Sequence, residues 1–352
     1  MTLPPPSAVG RRSFLTGLAG AGALGLLGCS AAGGASGPAP AGPLPTAVPP
    51  GTELTISIRT TLKQLEASGE LAKLPFEVPE WPNLTAGPDV IQAFRAGSVD
   101  LASNAGIPPI QAAAMRFDAR IVAVAHRETP TYQFATAPGS DIRSRSDFRG
   151  RRIAFSQGQA QGVIVLRTLR ELGLGKEDVR LVALNSPQFL TALQSGQVDV
   201  AVLAEPSTTK YLEQYGKDGA RTIEVAAVDL LTVLWAPTSV LRDDAKAAAI
   251  RAFIPFWARG QVWAWEHPEQ WVEHYYVEDQ NLSAADGRRI VTSHPRPHFP
   301  PSWDRAVAWE QETADLLAQG GFTPPTKAAD LFDRRFEGIA ADSVPATYRS
   351  AP

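Results

Sequence analysis

The sequence holds a single cysteine, Cys29, in 352 residues. That excludes a disulfide framework and any metal site built from several thiolates. A basic surplus is also missing: 33 Lys and Arg stand against 36 Asp and Glu, a formal charge of −3. The electrostatic footprint of a nucleic-acid binder is therefore absent. The apolar run from Leu15 to Leu27 is short and glycine-rich, a poor candidate for a helix across a bilayer. What is present is 44% hydrophobic, enough for one large or two medium domains with real cores.

The first residues have the layout of an export signal rather than of a fold: Arg11-Arg12, a short apolar stretch, then Leu26-Leu27-Gly28-Cys29. The twin arginine before Ser13-Phe14-Leu15 resembles a twin-arginine signal, and Leu-Leu-Gly-Cys resembles the bacterial lipobox. That resemblance implies that residues 1–28 are removed and that Cys29 is acylated, giving the protein a membrane anchor through its lipid. Removal would delete Arg11 and Arg12 and shift the formal charge from −3 to −5. Residues 29–51 follow as the lipidated cysteine and a Pro/Ala/Gly tether without charge. Such a tether spans roughly 25 Å on average.

From residue 52 the pattern alternates β-rich runs with amphipathic ones. "LTISI" (54–58), "VDLAS" (99–103), "RIVAVA" (120–125), "YQFATA" (132–137), "RRIAFS" (151–156), "VRLVAL" (179–184) and "VDVAVLA" (198–204) read as strands. Residues 75–81 read as extended. Helices are expected over 88–96, from Pro108, over 163–173, after Ser186-Pro187 and from Pro206, and the chain is mainly helical after 237. One phrase occurs twice: Gly97, Val99 and Asp100 recur as Gly196, Val198 and Asp199, each followed by a strand and a proline. In each copy the glycine is expected to stop a helix. Alternating strands and helices predict parallel sheets with helices on both faces. Such sheets bind ligands beyond the carboxyl ends of their strands, so loops 103–107 and 204–207 would form opposite walls of one cleft.

Residues 147–216, with their closing "ALQSGQVDVAVLAEP", resemble the solute-binding proteins of ABC importers for nitrate, sulfonate and taurine. Residues 74–113, with Trp81, Gly87-Pro88 and Pro108-Pro109-Ile110, and the C-terminal "WEQETADLLAQGGFTPP" are similar to the aliphatic-sulfonate branch. The resemblance implies an α/β fold of the periplasmic-binding-protein type II class, with two doubly wound sheets joined by two hinge strands. Lobe one is expected at 52–132 and 237–345, lobe two at 133–236, and residues 346–352 as a tail. It further implies a monomer without cofactor, metal or catalytic residue, which closes on a small anionic organic solute and docks on an ABC permease with its ATPase.

For the site, the resemblance points to Thr60 and Thr61 after the first strand. On the same wall it points to Ser103, Asn104, Ala105 and Gly106, and across the cleft to Gln157, Gly158, Gln159, Ala160 and Gln161. The last group precedes a helix whose N-terminus attracts anions without needing a lysine. Small residues there let an oxyanion approach the backbone, and the glutamines offer donors. Arg127 is a candidate anion partner, Glu205 differs between the two copies of the repeat, and Trp235 is a candidate pocket wall. Two departures leave the solute open. Sulfonate binders often carry Gly-Ser-x-x-His where this chain has Gly158-Gln159-Ala160-Gln161-Gly162, and Gly-Asp-Thr-Pro-Pro where it has Ala105-Gly106-Ile107-Pro108-Pro109. Nitrate, taurine or thiamine-precursor binding stays open, as does an enzyme or sensor on the same scaffold. The aromatic run 256–276 reads as core of lobe one. His294 and His298, with no carboxylate nearby, read as a poor metal site.

Overall fold

Strands form where the β-rich runs lie. In the computed structural model, which describes residues 42–351, they are β1 (Ile56–Ser57), β2 (Leu101–Asn104), β3 (Ala119–His126), β4 (Tyr132–Thr136), β5 (Arg152–Phe155), β6 (Arg180–Ala183), β7 (Val200–Ala204), β8 (Thr222–Glu224) and β9 (Leu231–Pro237). Cys29, the expected export signal and most of the expected tether lie outside the described residues. The described residues fall in one unit of the chain. Among them no helix is long and apolar enough to cross a membrane.

The strands build two sheets, ordered β1-β2-β9-β3 and β6-β5-β7-β4-β8. The first is the centre of lobe one and the second of lobe two. The chain crosses between them at residues 127–131 and again at 225–230. Neither sheet is purely parallel. β1 and β2 run parallel, as do β5 with β6 and β7, but β9 and β4 are antiparallel to their neighbours. Each of these two strands enters its sheet directly from a crossing, which reverses its direction.

β9 also moves the expected lobe boundary. The run "LLTVLWAP" pairs with β2 and β3 in the first sheet, so lobe two ends before residue 231 rather than at 236. An apolar strand buried on both faces carries no mark of which sheet it will join. Trp235 consequently sits inside lobe one, 0% exposed, edge-on to Phe94 at 4.7 Å.

The repeated phrase has one physical meaning in both lobes. Gly97 and Gly196 both sit at φ 68°, the left-handed conformation that ends a helix cheaply only with glycine. Asp100 Oδ2 accepts the N–H of Thr55 (3.0 Å), and Asp199 Oδ2 accepts that of Arg152 (2.7 Å). Each aspartate thus pins the start of the neighbouring parallel strand. Each also holds a cation: Lys246 on Asp100 and Arg152 on Asp199, both at 2.6 Å.

Helices cover the sheets as expected, including Gly87–Ala96, Ile107–Ala114, Ala160–Glu171 and Asp304–Gln319. The helix expected from Val163 begins three residues earlier, at Ala160. A side chain at Gly162 would run into the backbone carbonyl of Ser156. That glycine therefore serves the close approach of helix to strand end. Residues 75–81 are extended beside β1, where the N–H of Leu54 donates to Glu77 O and that of Glu77 to Thr52 O, both at 3.0 Å. One large apolar core runs through both lobes, and a separate aromatic cluster surrounds Trp271, Tyr276 and Ile290.

Candidate functional site

The loops leaving the carboxyl ends of β1, β2, β5 and β7 converge on a cavity of about 580 Å³. Of the residues expected to meet a ligand, Thr60, Ser103, Asn104, Ala105, Arg127, Gln159, Ala160, Gln161 and Glu205 line it. Thr61 lines an adjoining cavity of about 320 Å³, which shares Thr60, Ser103, Arg127, Glu205, Thr232 and Tyr275 with the first.

Two helices aim their N-termini at the main cavity from opposite lobes, Arg59–Ser68 and Ala160–Glu171. Neither has a side-chain cap or an acidic residue in its first turn. Their leading N–H groups and positive dipole ends are left for something else to satisfy. A third helix, Ser207–Tyr215, also starts at the cavity, but Glu205 occupies it: Oε2 accepts from the N–H of Thr209 at 3.1 Å. Glu205 is in turn held by Arg289 at 3.1 Å.

Cations on the walls are Arg59, Arg127 and Lys210, against Glu205 as the lining carboxylate. Arg59 pairs with Asp279, whose hydrogen bond raises the guanidinium pKa further. Arg127 donates to Asp229 at 3.2 Å and to the carbonyl of Leu231 at 3.3 Å, so it is fixed at the crossing between lobes. Asp229 is buried, and burial pushes its carboxyl up despite Arg127 and Arg167 nearby. Lys210 reaches Gln280 across the cleft at 3.4 Å.

Four expected site residues line neither cavity. Gly106 packs under the carboxyl of Glu310, where any side chain would collide with it. Gln157 donates to the carbonyl of Phe322 and accepts from Gln111 at 3.0 Å, so it bridges the lobes. Gly158 lies against Gln111 and Pro88, in that same bridge. Trp235 is walled off in the core, where its Nε1 donates to Asn104 Oδ1 at 2.9 Å. It orients a cavity residue without reaching the cavity. Gln159 lines the cavity, yet its amide is spent on Ser156 (2.5 Å) and Ser186 (2.7 Å). It ties the loop rather than presenting a donor.

Other residues lining the cavities were not anticipated. Asn83, Thr85, Ser186, Ser207, Tyr132 and Gln280 line the main cavity; Tyr132 is held neutral, its pKa raised by burial. The aromatic run 256–276 is only partly core: Trp257, Trp265, Trp271, Tyr275 and Tyr276 line the second cavity. A wide turn with π-helical spacing over Val272–Val277 presents these tyrosines, a geometry often found at functional sites. Nothing in a helical aromatic pattern distinguishes that turn from an ordinary one.

The expectation that His298 has no carboxylate nearby is corrected. Its Nδ1 lies 3.2 Å from Glu128, and His126, Glu128 and His298 bring ligand atoms within 4.8 Å of one another. This is a donor set for a divalent cation, but Arg305 already holds both oxygens of Glu128, at 2.7 and 2.8 Å. His126 is 2% exposed, and burial pulls its pKa down to about 4, so the ring is neutral at pH 7.

Two lobes, two crossings and a cavity at the carboxyl ends of parallel strands define the periplasmic-binding-protein architecture. The chain belongs to the NMT1/THI5-like family, whose pattern matches residues 83–271. It is 26% identical over 258 residues to an aliphatic sulfonates-binding protein of Escherichia coli K12, covering 72% of this chain and 78% of that one. It is 25% identical over 222 residues to the taurine-binding periplasmic protein of the same organism, covering 60% and 68%. Its fold is similar to that of the alkanesulfonate-binding protein SsuA of Xanthomonas axonopodis pv. citri, solved with MOPS bound. There the TM-score is 0.70 at 20% identity, covering 82% of this chain and 99% of that one.

Proposed function

We propose that the protein is the extracytoplasmic solute-binding component of an ABC importer. It captures a small organic anion, an aliphatic sulfonate first among the candidates, and delivers it to a permease driven by its ATPase. The observation that carries this reading is the pair of uncapped helix N-termini facing one cavity from opposite lobes, with Arg59, Arg127 and Lys210 on the walls. Helix ends and fixed N–H groups bind oxyanions without a covalent partner. Because the two ends belong to different lobes, an anion between them favours the closed arrangement, and that differential affinity is the whole driving force for closure. The relatives' roles in sulfonate and taurine binding support the same solute class. The role is binding rather than catalysis: the sole thiol, Cys29, lies far from these loops in sequence and is assigned to the lipid anchor.

A thermal-shift screen of alkanesulfonates, taurine, nitrate and a pyrimidine thiamine precursor tests the solute. A ligand at a hundred times its dissociation constant adds about 2.7 kcal/mol. Stabilisation by a neutral solute and by none of the anions would refute the anion assignment. The same proposal places the protein, as a monomer, on the outer face of the membrane through acylated Cys29. Cys29→Ala is expected to release it from the membrane fraction, and continued tight association would contradict the anchor.

A further inference from the structure

We infer that the second cavity receives an uncharged aromatic tail, so that the solute is an aryl-bearing organic anion rather than a one- or two-carbon one. This rests on the anion-binding reading above and extends it to the part of the solute that is not the anion.

The two cavities are one space in functional terms. Thr60, Ser103, Arg127 and Tyr275 line both, so an anion at the start of helix Arg59–Ser68 sits at their junction. Pockets of roughly 300–1,000 Å³ suit drug-sized molecules. The main cavity alone is about 580 Å³ and the second adds about 320 Å³, more than a methyl or ethyl sulfonate fills.

The walls of the second cavity then specify the tail. Trp257, Trp265, Trp271, Tyr275 and Tyr276 contribute rings. Trp271 and Tyr275 stack at 4.5 Å with an interplanar angle of 3°, and Tyr276 stands edge-on to Tyr275 at 5.0 Å and 76°. Stacked and edge-on rings are the two geometries in which an added ring gains most. Trp265 is 37% exposed, one of two large apolar side chains so exposed among the described residues. Its ring lines the second cavity, so an apolar tail bound there would cover it.

The tail is also specified as uncharged. His294 lines this cavity and burial holds it below its ordinary pKa, while Tyr275 is pushed up to about 12. These groups are neutral at pH 7. The lining charges already have partners: Arg127 is held by Asp229, Glu205 by Arg289, and Arg296 donates to the Ser350 carbonyl and lies over the Tyr348 ring. Aromatic walls also attract quaternary ammonium groups, but the two arginines oppose one here.

Titration calorimetry on the full chain in detergent, with methanesulfonate, naphthalene-2-sulfonate and N,N,N-trimethyltaurine, separates these cases. Naphthalene-2-sulfonate is expected to bind at least tenfold more tightly than methanesulfonate. Trp265→Ala is expected to reduce that ratio by threefold or more. Equal affinities for the first two would overturn this inference and leave the anion reading standing. A gain for trimethyltaurine alone would overturn the uncharged tail. A ratio unmoved by Trp265→Ala would overturn its placement in this cavity, and absence of binding by every sulfonate would defeat the proposed function as well.

Discussion

Asp100 and Asp199 each accept a backbone N–H at the start of a neighbouring strand, and neither lines the cavity. A hydrogen bond to an ionised group contributes about 1.5–3 kcal/mol. Asp100→Ala and Asp199→Ala are each expected to lower the unfolding free energy measured by urea titration by that order while leaving anion affinity within twofold. Loss of affinity at unchanged stability would show that the repeated aspartate belongs to the site. For Asp199, burial pushes the carboxyl up, but the hydrogen bonds from the Arg152 side chain and N–H outweigh it and the pKa is lowered. Its contribution is therefore present at neutral pH and is lost as pH falls through the acid range. Of the letters the two copies share, Gly97, Val99 and Asp100 and their counterparts Gly196, Val198 and Asp199 stay clear of the cavity, whereas the prolines Pro108 and Pro206 line it. The letters they do not share, Ser103-Asn104-Ala105 and Ala204-Glu205, line the cavity.

Elements were legible where a local signal sets them. The glycine stop at Gly97, the proline start at Pro88 and the β-branched runs all lie in the elements expected of them. What the pattern did not carry was long-range. The run 231–237 looks equally at home in either sheet, and only its partners β2 and β3 decide. The 157–162 loop read as small residues that let an oxyanion approach the backbone, but Gly158 and Gly162 are small because other backbone or side chains press on them. Helix Ala160–Glu171 gives this a test. Gly162→Ala would drive a methyl group into the Ser156 carbonyl. Overpacking of this kind costs about 1–3 kcal/mol. Because the displaced helix carries one of the two free N-termini, anion affinity is expected to fall about tenfold. Destabilisation with full affinity would mean that this helix end does not hold the anion.

At the scale of the whole molecule, the lobes meet through buried charge. Arg167 of lobe two donates to Thr313 at 3.0 Å and lies over the ring of Trp309 at 4.1 Å, both on helix Asp304–Gln319 of lobe one. Beside them Glu310 is 1% exposed, and burial, with the nearby Asp229, raises its carboxyl to about 8 against the pull of Arg167. A carboxyl raised on folding stabilises most below its unfolded value near 4.5 and loses that contribution as pH rises towards 8. The wild type is therefore expected to lose stability over this window, by up to roughly 1.4 kcal/mol per pH unit, and Glu310→Gln to flatten the profile. Parallel profiles for the two would contradict a buried neutral Glu310. The central claim is that an anion binds between the lobes, and calorimetric titration of an alkanesulfonate into the protein tests it most directly. The account predicts saturable one-site binding that Arg127→Ala weakens at least tenfold. Absence of heat and of any melting shift at millimolar sulfonate would contradict it.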